Sequence, residues 1–215
     1  MAKIEKDFIK FLGTAGARFV MIRQLRSSAG IWISYKGTNV IIDPGPGSIV
    51  RMASSRPKLD PTTLDAIILT HKHLDHSGDI NVMIEAMTEG GFKKRGVLFC
   101  PADAVNGDSV VLKYALNLPE KIAVLEAEKN YQAGNFEFAT SIRHIHPVET
   151  YGLKFNLNKT TVSILSDTRY FVGLADFYRG TDILIICVVF FEPRPGVDHL
   201  CLADVEELLR SIKPK

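Results

Sequence analysis

The feature that most constrains this chain is a short apolar run, Ala66-Ile67-Ile68-Leu69, which ends directly against Thr70-His71-Lys72-His73-Leu74-Asp75-His76. A β-branched run so short and so apolar reads as a buried strand. The chain must therefore build a sheet around it and deliver three imidazoles and a carboxylate at the end of that strand. Extended alternation sends His71 and His73 to the same side, where both rings can reach one cation at ~2.0–2.1 Å, while Asp75 and His76 can turn toward a second. A solvated polar loop is a poor explanation, because three of the chain's 6 histidines fall in this one segment.

Elsewhere, strand-length apolar runs alternate with turn residues and helical periodicity, without a fixed-period repeat or a low-complexity linker. The pattern predicts a strand at 8–12 and a hairpin of 31–35 with 40–42 across Lys36-Gly37-Thr38-Asn39. It predicts a helix at 80–87 stopped by Gly90-Gly91, a strand at 97–99, and an irregular stretch to about residue 129. Next come a strand around 136–145 and a hairpin of 152–155 with 160–165 across Asn156-Leu157-Asn158-Lys159. A helical piece at 174–178, a buried strand at 183–191 and an amphipathic helix at about 202–212 close the chain. β-rich halves that each carry helices give a layered α/β fold. At 215 residues and 46% apolar content, one domain spanning 1–215 is expected.

Composition removes several classes of function. The longest apolar run, 183–191, is far short of the ~20 residues a membrane helix requires. Residues 1–6 lack the apolar stretch of a signal peptide, so the expected location is cytoplasmic with no membrane partner. Lys plus Arg at 26 against Asp plus Glu at 24 leaves +2, too weak a balance to imply nucleic acid by charge alone. Lys93-Lys94-Arg95 is a local basic patch. The cysteines, Cys100, Cys187 and Cys201, are odd in number and form no CxxC pair, which fits reduced packing residues.

The remaining histidines sharpen the metal reading. In Arg143-His144-Ile145-His146-Pro147 alternation puts His144 and His146 on one face, competing for one ligand role. His146 is favoured because a residue before proline is held extended; His144 then becomes a hydrogen-bonded neighbour. Asp167, in Ser166-Asp167-Thr168 after a strand, can bridge two cations through its two oxygens. Asp43, in Ile42-Asp43-Pro44-Gly45-Pro46-Gly47, ends another strand and is placed to hold a ligand imidazole in orientation.

His71-x-His73-x-Asp75-His76, with Asp43, His146 and Asp167 in this order, resembles the metallo-β-lactamase superfamily of metal-dependent hydrolases. The resemblance runs from Phe11-Leu12-Gly13-Thr14 through the helix after His199; its HxHxDH run is highly specific, and Asp43 and Asp167 are moderately so. It implies an αββα sandwich with metals between the ends of two sheets. Within the superfamily, Gly196-Val197-Asp198-His199 followed by a helix resembles the branch containing ribonuclease Z and related phosphodiesterases. There a histidine so placed donates a proton to the leaving group. Carried onto this chain, His71, His73 and His146 form site one, Asp75 and His76 form site two, and Asp167 bridges.

The implied cofactor is a pair of divalent ions, zinc first, with manganese or iron also compatible with nitrogen and oxygen ligands. Two cations ~3.5–4 Å apart hold a bridging hydroxide at neutral pH and neutralise charge on the scissile group. Asp75 or Asp167 would orient that nucleophile, and His199, oriented by Asp198, would protonate the leaving alkoxide. The implied partner is RNA or a cyclic or small phosphodiester, and a homodimer is allowed.

Two departures stand out. The branch supplies a further site-two histidine from a strand after the terminal helix, but this sequence stops at Ile212-Lys213-Pro214-Lys215, so the expectation is either a shortened sequence, its sandwich lacking the last strand or strands, or an incomplete site two. His199 could then serve as a substitute ligand. The region 91–134 also carries no long Gly/Pro-rich arm of the kind many ribonuclease Z enzymes use to grip tRNA, which weakens a tRNA substrate. Thioester or lactone hydrolysis on the same fold, and a noncatalytic metal- or nucleic-acid-binding scaffold, are the rival readings. A β-lactam specialist would place Cys where Asp167 stands, and a flavodiiron-type centre would place Glu where His73 stands. The segment Gly13-Thr14-Ala15-Gly16 fails the dinucleotide-binding glycine spacing.

Overall fold

The structure, a computed structural model, describes residues 7–23, 25–28 and 30–215. The reading of residues 1–6 lies outside them. In chain order the elements are β1 (Phe8–Phe11), α1 (Arg18–Ile22), β2 (Ile31–Tyr35), β3 (Thr38–Ile42), α2 (Ser48–Ser54), β4 (Ala66–Ile68), α3 (Leu74–Ser77) and α4 (Ile80–Met87). They continue with β5 (Val97–Cys100), β6 (Lys121–Val124), β7 (Asn130–Ala133), β8 (Phe136–Arg143), β9 (Tyr151–Leu157), β10 (Thr160–Leu165), α5 (Leu174–Tyr178), β11 (Ile183–Ile186) and α6 (Leu202–Ile212). Two sheets with accompanying helices bear out the expected mixed α/β class. By contact the chain divides into two units, one running to Val124 and including Gln132–Phe136, the other holding Leu125–Tyr131 and Glu137–Lys215.

The first unit contains a six-stranded sheet of order β1-β2-β3-β4-β5-β6. The β2–β3 turn is only two residues long, because Lys36 at φ 47 and Gly37 at φ 79 both adopt the left-handed conformation that a tight hairpin needs. Thr38 and Asn39, expected in the turn, therefore join β3. From β3 onward the strands are parallel, with Ile42 opposite Ile68 and Ile68 opposite Phe99. That register brings the residues after β3 and β4 out at the same sheet edge, where parallel sheets present their polar groups. All of β4 is buried. Ile80, Met83, Ile84 and Met87 form a helical stripe on α4 that packs with Leu69, Leu98 and Met52. Inside the stretch expected to be irregular lies β6, a short and largely exposed edge strand whose pairing to β5, not its own pattern, makes it a strand. The short helices α1 and α2 were likewise not expected from periodicity.

The second sheet has the order β11-β10-β9-β8-β7. In the second unit β9 and β10 pair as the expected hairpin, with Asn158 in the left-handed conformation at the turn. β11 ends at Ile186 instead of continuing to 191, and it is half-exposed, not buried. Among the described residues its one strand neighbour is the parallel β10, and pairing stops once Cys187 N–H has donated to the Leu165 carbonyl at 3.1 Å. α6 starts on a reciprocal cap in which the Cys201 side chain accepts from the third backbone N–H and Asp204 accepts from Cys201 N–H at 2.9 Å. Its Val205, Leu208 and Ile212 pack with Leu165, Leu174, Tyr178 and Leu200. Among the described residues Cys100, Cys187 and Cys201 form no disulfide. Among the described residues no helix is long and apolar enough to cross a membrane.

Candidate functional site

In the first unit the chain leaves β4 through Thr70 and His71 and reaches His73, which precedes the single turn of α3 carrying Asp75 and His76. The ring of His71 lies 5.0 Å from that of His73 and 4.2 Å from that of His76, centroid to centroid. Ligand-capable atoms of His71 and His73 are within 4.8 Å of each other, and so are those of Asp75 and His76. His71, Asp75 and His76 are buried.

Asp43 organises this cluster. Its Oδ1 accepts from Thr70 N–H at 2.7 Å, and its Oδ2 accepts from the Thr70 hydroxyl at 2.7 Å. Oδ2 also lies 3.0 Å from His76 Nδ1. A carboxylate can only accept, so the proton sits on Nδ1 and the His76 Nε2 lone pair is directed away from Asp43. The Thr70 hydroxyl spends its proton on Asp43, so at 3.2 Å from His71 Nδ1 it acts as acceptor and sets His71 in the same tautomer. This is the orienting role expected for Asp43. It is achieved at a left-handed φ of 51, a conformation that aspartate tolerates better than most side chains.

Three residues that the sequence reading passed over hold this arrangement. Thr70 relays Asp43 to His71, as described. Asp79 accepts from Ile49 N–H at 3.0 Å and donates its own N–H to the Pro44 carbonyl at 2.9 Å. A side chain at Gly78 would place Cβ 2.4 Å from Pro46 Cγ. The loop after β3 is thus fastened against the loop after α3. A Gly-Asp pair just beyond the histidine run was the available signal.

In the second unit, His144 and His146 leave β8 while Asp167 leaves β10. The two exits are laced together: Ile145 N–H donates to Thr168 Oγ1 at 3.2 Å, and Arg169 N–H donates to the Ile145 carbonyl at 3.1 Å. His146 Nδ1 donates to the Asp198 carbonyl at 3.0 Å, which leaves Nε2 as the lone-pair nitrogen, 3.9 Å from Asp167 Oδ2. The side chains of His146 and Asp167 are each only 1% exposed. His199 Nδ1 approaches the same Asp167 oxygen at 3.6 Å.

His144 is turned elsewhere. Its Nδ1 donates to the Asp167 carbonyl at 3.2 Å, and its Nε2 accepts from the Tyr178 hydroxyl at 2.9 Å, so both ring nitrogens are used. Burial pushes its pKa down to about 4, and it is neutral at pH 7. Burial likewise pushes the Tyr178 phenol up, keeping it a donor. The hydroxyl fits only because residue 152 is glycine: a Cβ there would sit 1.7 Å from Tyr178 Oη. No local pattern marked Tyr178. One expectation is corrected: Asp198 does not orient His199. Its carboxylate faces Arg169 Nε at 3.7 Å, and its carbonyl is committed to His146, so Asp167 is the acid beside His199.

The basic patch is partly neutralised. Lys93 pairs with Glu89 at 2.6 Å, and Arg95 pairs with Asp65 at 3.2 Å and the Thr62 carbonyl.

Residues 38–215 match the family described as beta-lactamase superfamily domain. An uncharacterized protein of Methanocaldococcus jannaschii is 32% identical over 216 residues, covering 96% of this chain and 79% of that protein. The protein named probable metallo-hydrolase YhfI of Bacillus subtilis is 28% identical over 134 residues, 62% of this chain and 54% of the relative. Its crystal structure, described as a metallo-beta-lactamase fold protein, matches with a TM-score of 0.76 and 20% identity over 96% of this chain and 82% of that one. Ribonuclease Z of Thermococcus kodakarensis is 38% identical over 77 residues, 36% of this chain and 23% of the enzyme. The chain therefore spans most of the first of these relatives but about half, or less, of the other two by sequence.

Proposed function

The chain belongs to the beta-lactamase superfamily, and from that premise we propose that it falls in the branch with ribonuclease Z and related phosphodiesterases and hydrolyses phosphodiesters with a pair of divalent metal ions, zinc first. The two units are read as halves of one catalytic domain spanning 1–215 that works in the cytoplasm. His71, His73 and His146 would hold one ion, Asp75 and His76 the other, and Asp167 both. Bound there, the metals would supply Lewis-acid activation of water and neutralise charge on the phosphoryl oxygens.

The donor chemistry fits that group, and one observation carries the reading. In each unit an imidazole is tied through Nδ1 to an oxygen acceptor, His76 to Asp43 and His146 to the Asp198 carbonyl, so that Nε2 is offered as a ligand beside a buried carboxylate. All the donors are nitrogen or oxygen, the set that zinc, manganese and iron accept.

This chain's own residues do the rest. Asp75 or Asp167 would accept a hydrogen bond from the attacking water and orient it. His199 protonates the leaving oxygen, with its Nδ1 standing 3.6 Å from Asp167 Oδ2. RNA or a cyclic or small phosphodiester is the substrate class.

Metal-loaded protein should carry two equivalents of metal and turn over bis(p-nitrophenyl) phosphate, and Asp167→Ala should lose about a thousandfold or more in rate. Equal rates would overturn the proposal, and zero metal on an ordered fold would leave a scaffold instead. His199→Ala should slow an alkoxide-leaving diester more than a p-nitrophenyl one, which scarcely needs an acid.

A further inference from the structure

Beside His199 the second unit carries a short, stiffened turn. In Phe191-Glu192-Pro193-Arg194-Pro195-Gly196-Val197 a proline stands on each side of Arg194 and fixes its neighbours' φ. Val197 N–H donates to the Arg194 carbonyl at 3.3 Å, and Gly196 sits at φ 78, the conformation that this Pro-Gly turn requires. The turn is joined to the candidate proton donor, because His199 N–H donates to the Val197 carbonyl at 3.0 Å. Arg194 places its guanidinium carbon 4.8 Å from the centroid of the Phe190 ring, and Phe190 in turn lies edge-on to the His199 ring at 6.1 Å. Arg194, Phe190 and His199 therefore form one connected row.

Among the described residues Arg194, like Arg143, makes no ion pair with an acid, whereas three other arginines of this unit do. Arg169, Arg179 and Arg210 each lie against a carboxylate, Asp198 at 3.7 Å, Asp176 at 3.2 Å and Glu207 at 3.3 Å. Among the described residues Arg194 has a ring beneath it and no ion pair with an acid. A ring face holds a guanidinium in place without cancelling its charge. Phe191, 79% exposed, adds a second aromatic surface on the same segment. A fixed, uncancelled cation interleaved with aromatic rings is the arrangement that takes a phosphate together with a base.

We propose that Arg194 and Phe190, with Phe191, form the subsite for the departing half of the substrate, and that this half is a nucleotide bearing a second phosphate, held by Arg194. The proposal rests on the phosphodiesterase reading, since His199 defines the leaving-group side. The substrate is then a nucleotide strand with at least one phosphate beyond the scissile one, not an isolated diester. Arg194 is here a specificity-determining residue that does not touch the scissile phosphorus.

The test compares UpU with pUpU, which carries one further phosphate, on the nucleoside that would depart if the P–O3′ bond is the one broken, on the metal-loaded full chain. Wild type should favour pUpU by about tenfold in kcat/KM, Arg194→Gln should bring that ratio to about one, and Arg194→Lys, which keeps the charge but loses the planar fork stacked on Phe190, should fall between the two. Binding of uridine 3′,5′-bisphosphate, measured by calorimetry, should weaken by about tenfold in Arg194→Gln. An unchanged ratio or unchanged bisphosphate affinity in Arg194→Gln overturns the subsite. Should wild type cleave no diester at all, the calorimetry alone decides the subsite, and the failure falls on the catalytic reading.

Discussion

In the first unit, Thr70, His71, His73, Asp75 and His76 all leave one strand end within a single short segment, and one carboxylate, Asp43, ties them down from the parallel neighbour strand. In the second, His146, Asp167 and His199 come from three separate segments, and the ties run through backbone carbonyls, Thr168 and the buried His144–Tyr178 pair. The first set needs one strand placed correctly and one acceptor opposite it. The second needs the ends of β8 and β10 and the start of α6 placed correctly at once. An assembled set of this kind should depend far more on packing remote from it.

Paired glycine substitutions give the largest expected effect. Gly152→Ala drives a Cβ into the Tyr178 hydroxyl, and that ring is fully buried with nowhere to move. It should cost about 3 kcal/mol or more, read as a urea-midpoint shift. Gly78→Ala meets the Pro46 ring instead, at an ordinary helical φ of −56, and should cost about 1–2 kcal/mol. Equal costs would erase the contrast.

Acidification should single out the second unit. His144 titrates near 6.5 when unfolded and about 4 when folded, so the unfolded chain binds its proton first. The stability it permits is complete above pH 6.5 and falls as pH drops toward 4, by up to about 3 kcal/mol in all. His144→Gln should flatten that slope, as followed by denaturant titration across the window. An unflattened slope would place the acid sensitivity elsewhere.

Asp43→Asn sharpens the comparison from the other side. Asparagine tolerates the left-handed φ and keeps the size, but one acceptor oxygen becomes a donor, so His76 and Thr70 cannot both be served. Zinc affinity by competition titration should drop about 10–100-fold while the fold persists. The smallest effect is at the start of α6, where Asp204→Ala removes half of a reciprocal cap and should lower stability by about 1 kcal/mol in thermal melts.

The contiguous set was legible because its chemistry and its geometry share one length scale. Alternation and a strand end are local, and His71 and His73 do lie side by side. The assembled set was legible only as residue types near strand ends. Which of His144 and His146 offers a nitrogen was decided by Tyr178, which carries no local signal, and by the Asp198 carbonyl. The same limit explains β6 and β7, whose residues become strands by pairing, and the early end of β11, where the apolar run outlasts its pairing with β10.

By itself the sequence determined the mixed α/β class, the helices α4 and α6, and the one segment in which three imidazoles and a carboxylate must lie together, because periodicity and residue chemistry act over a few positions. Only the tertiary structure decided which nitrogen His76 and His146 present, which acid stands beside His199, and which glycine admits Tyr178. Those outcomes depend on hydrogen bonds and contacts between segments far apart in the chain, where no local pattern reaches.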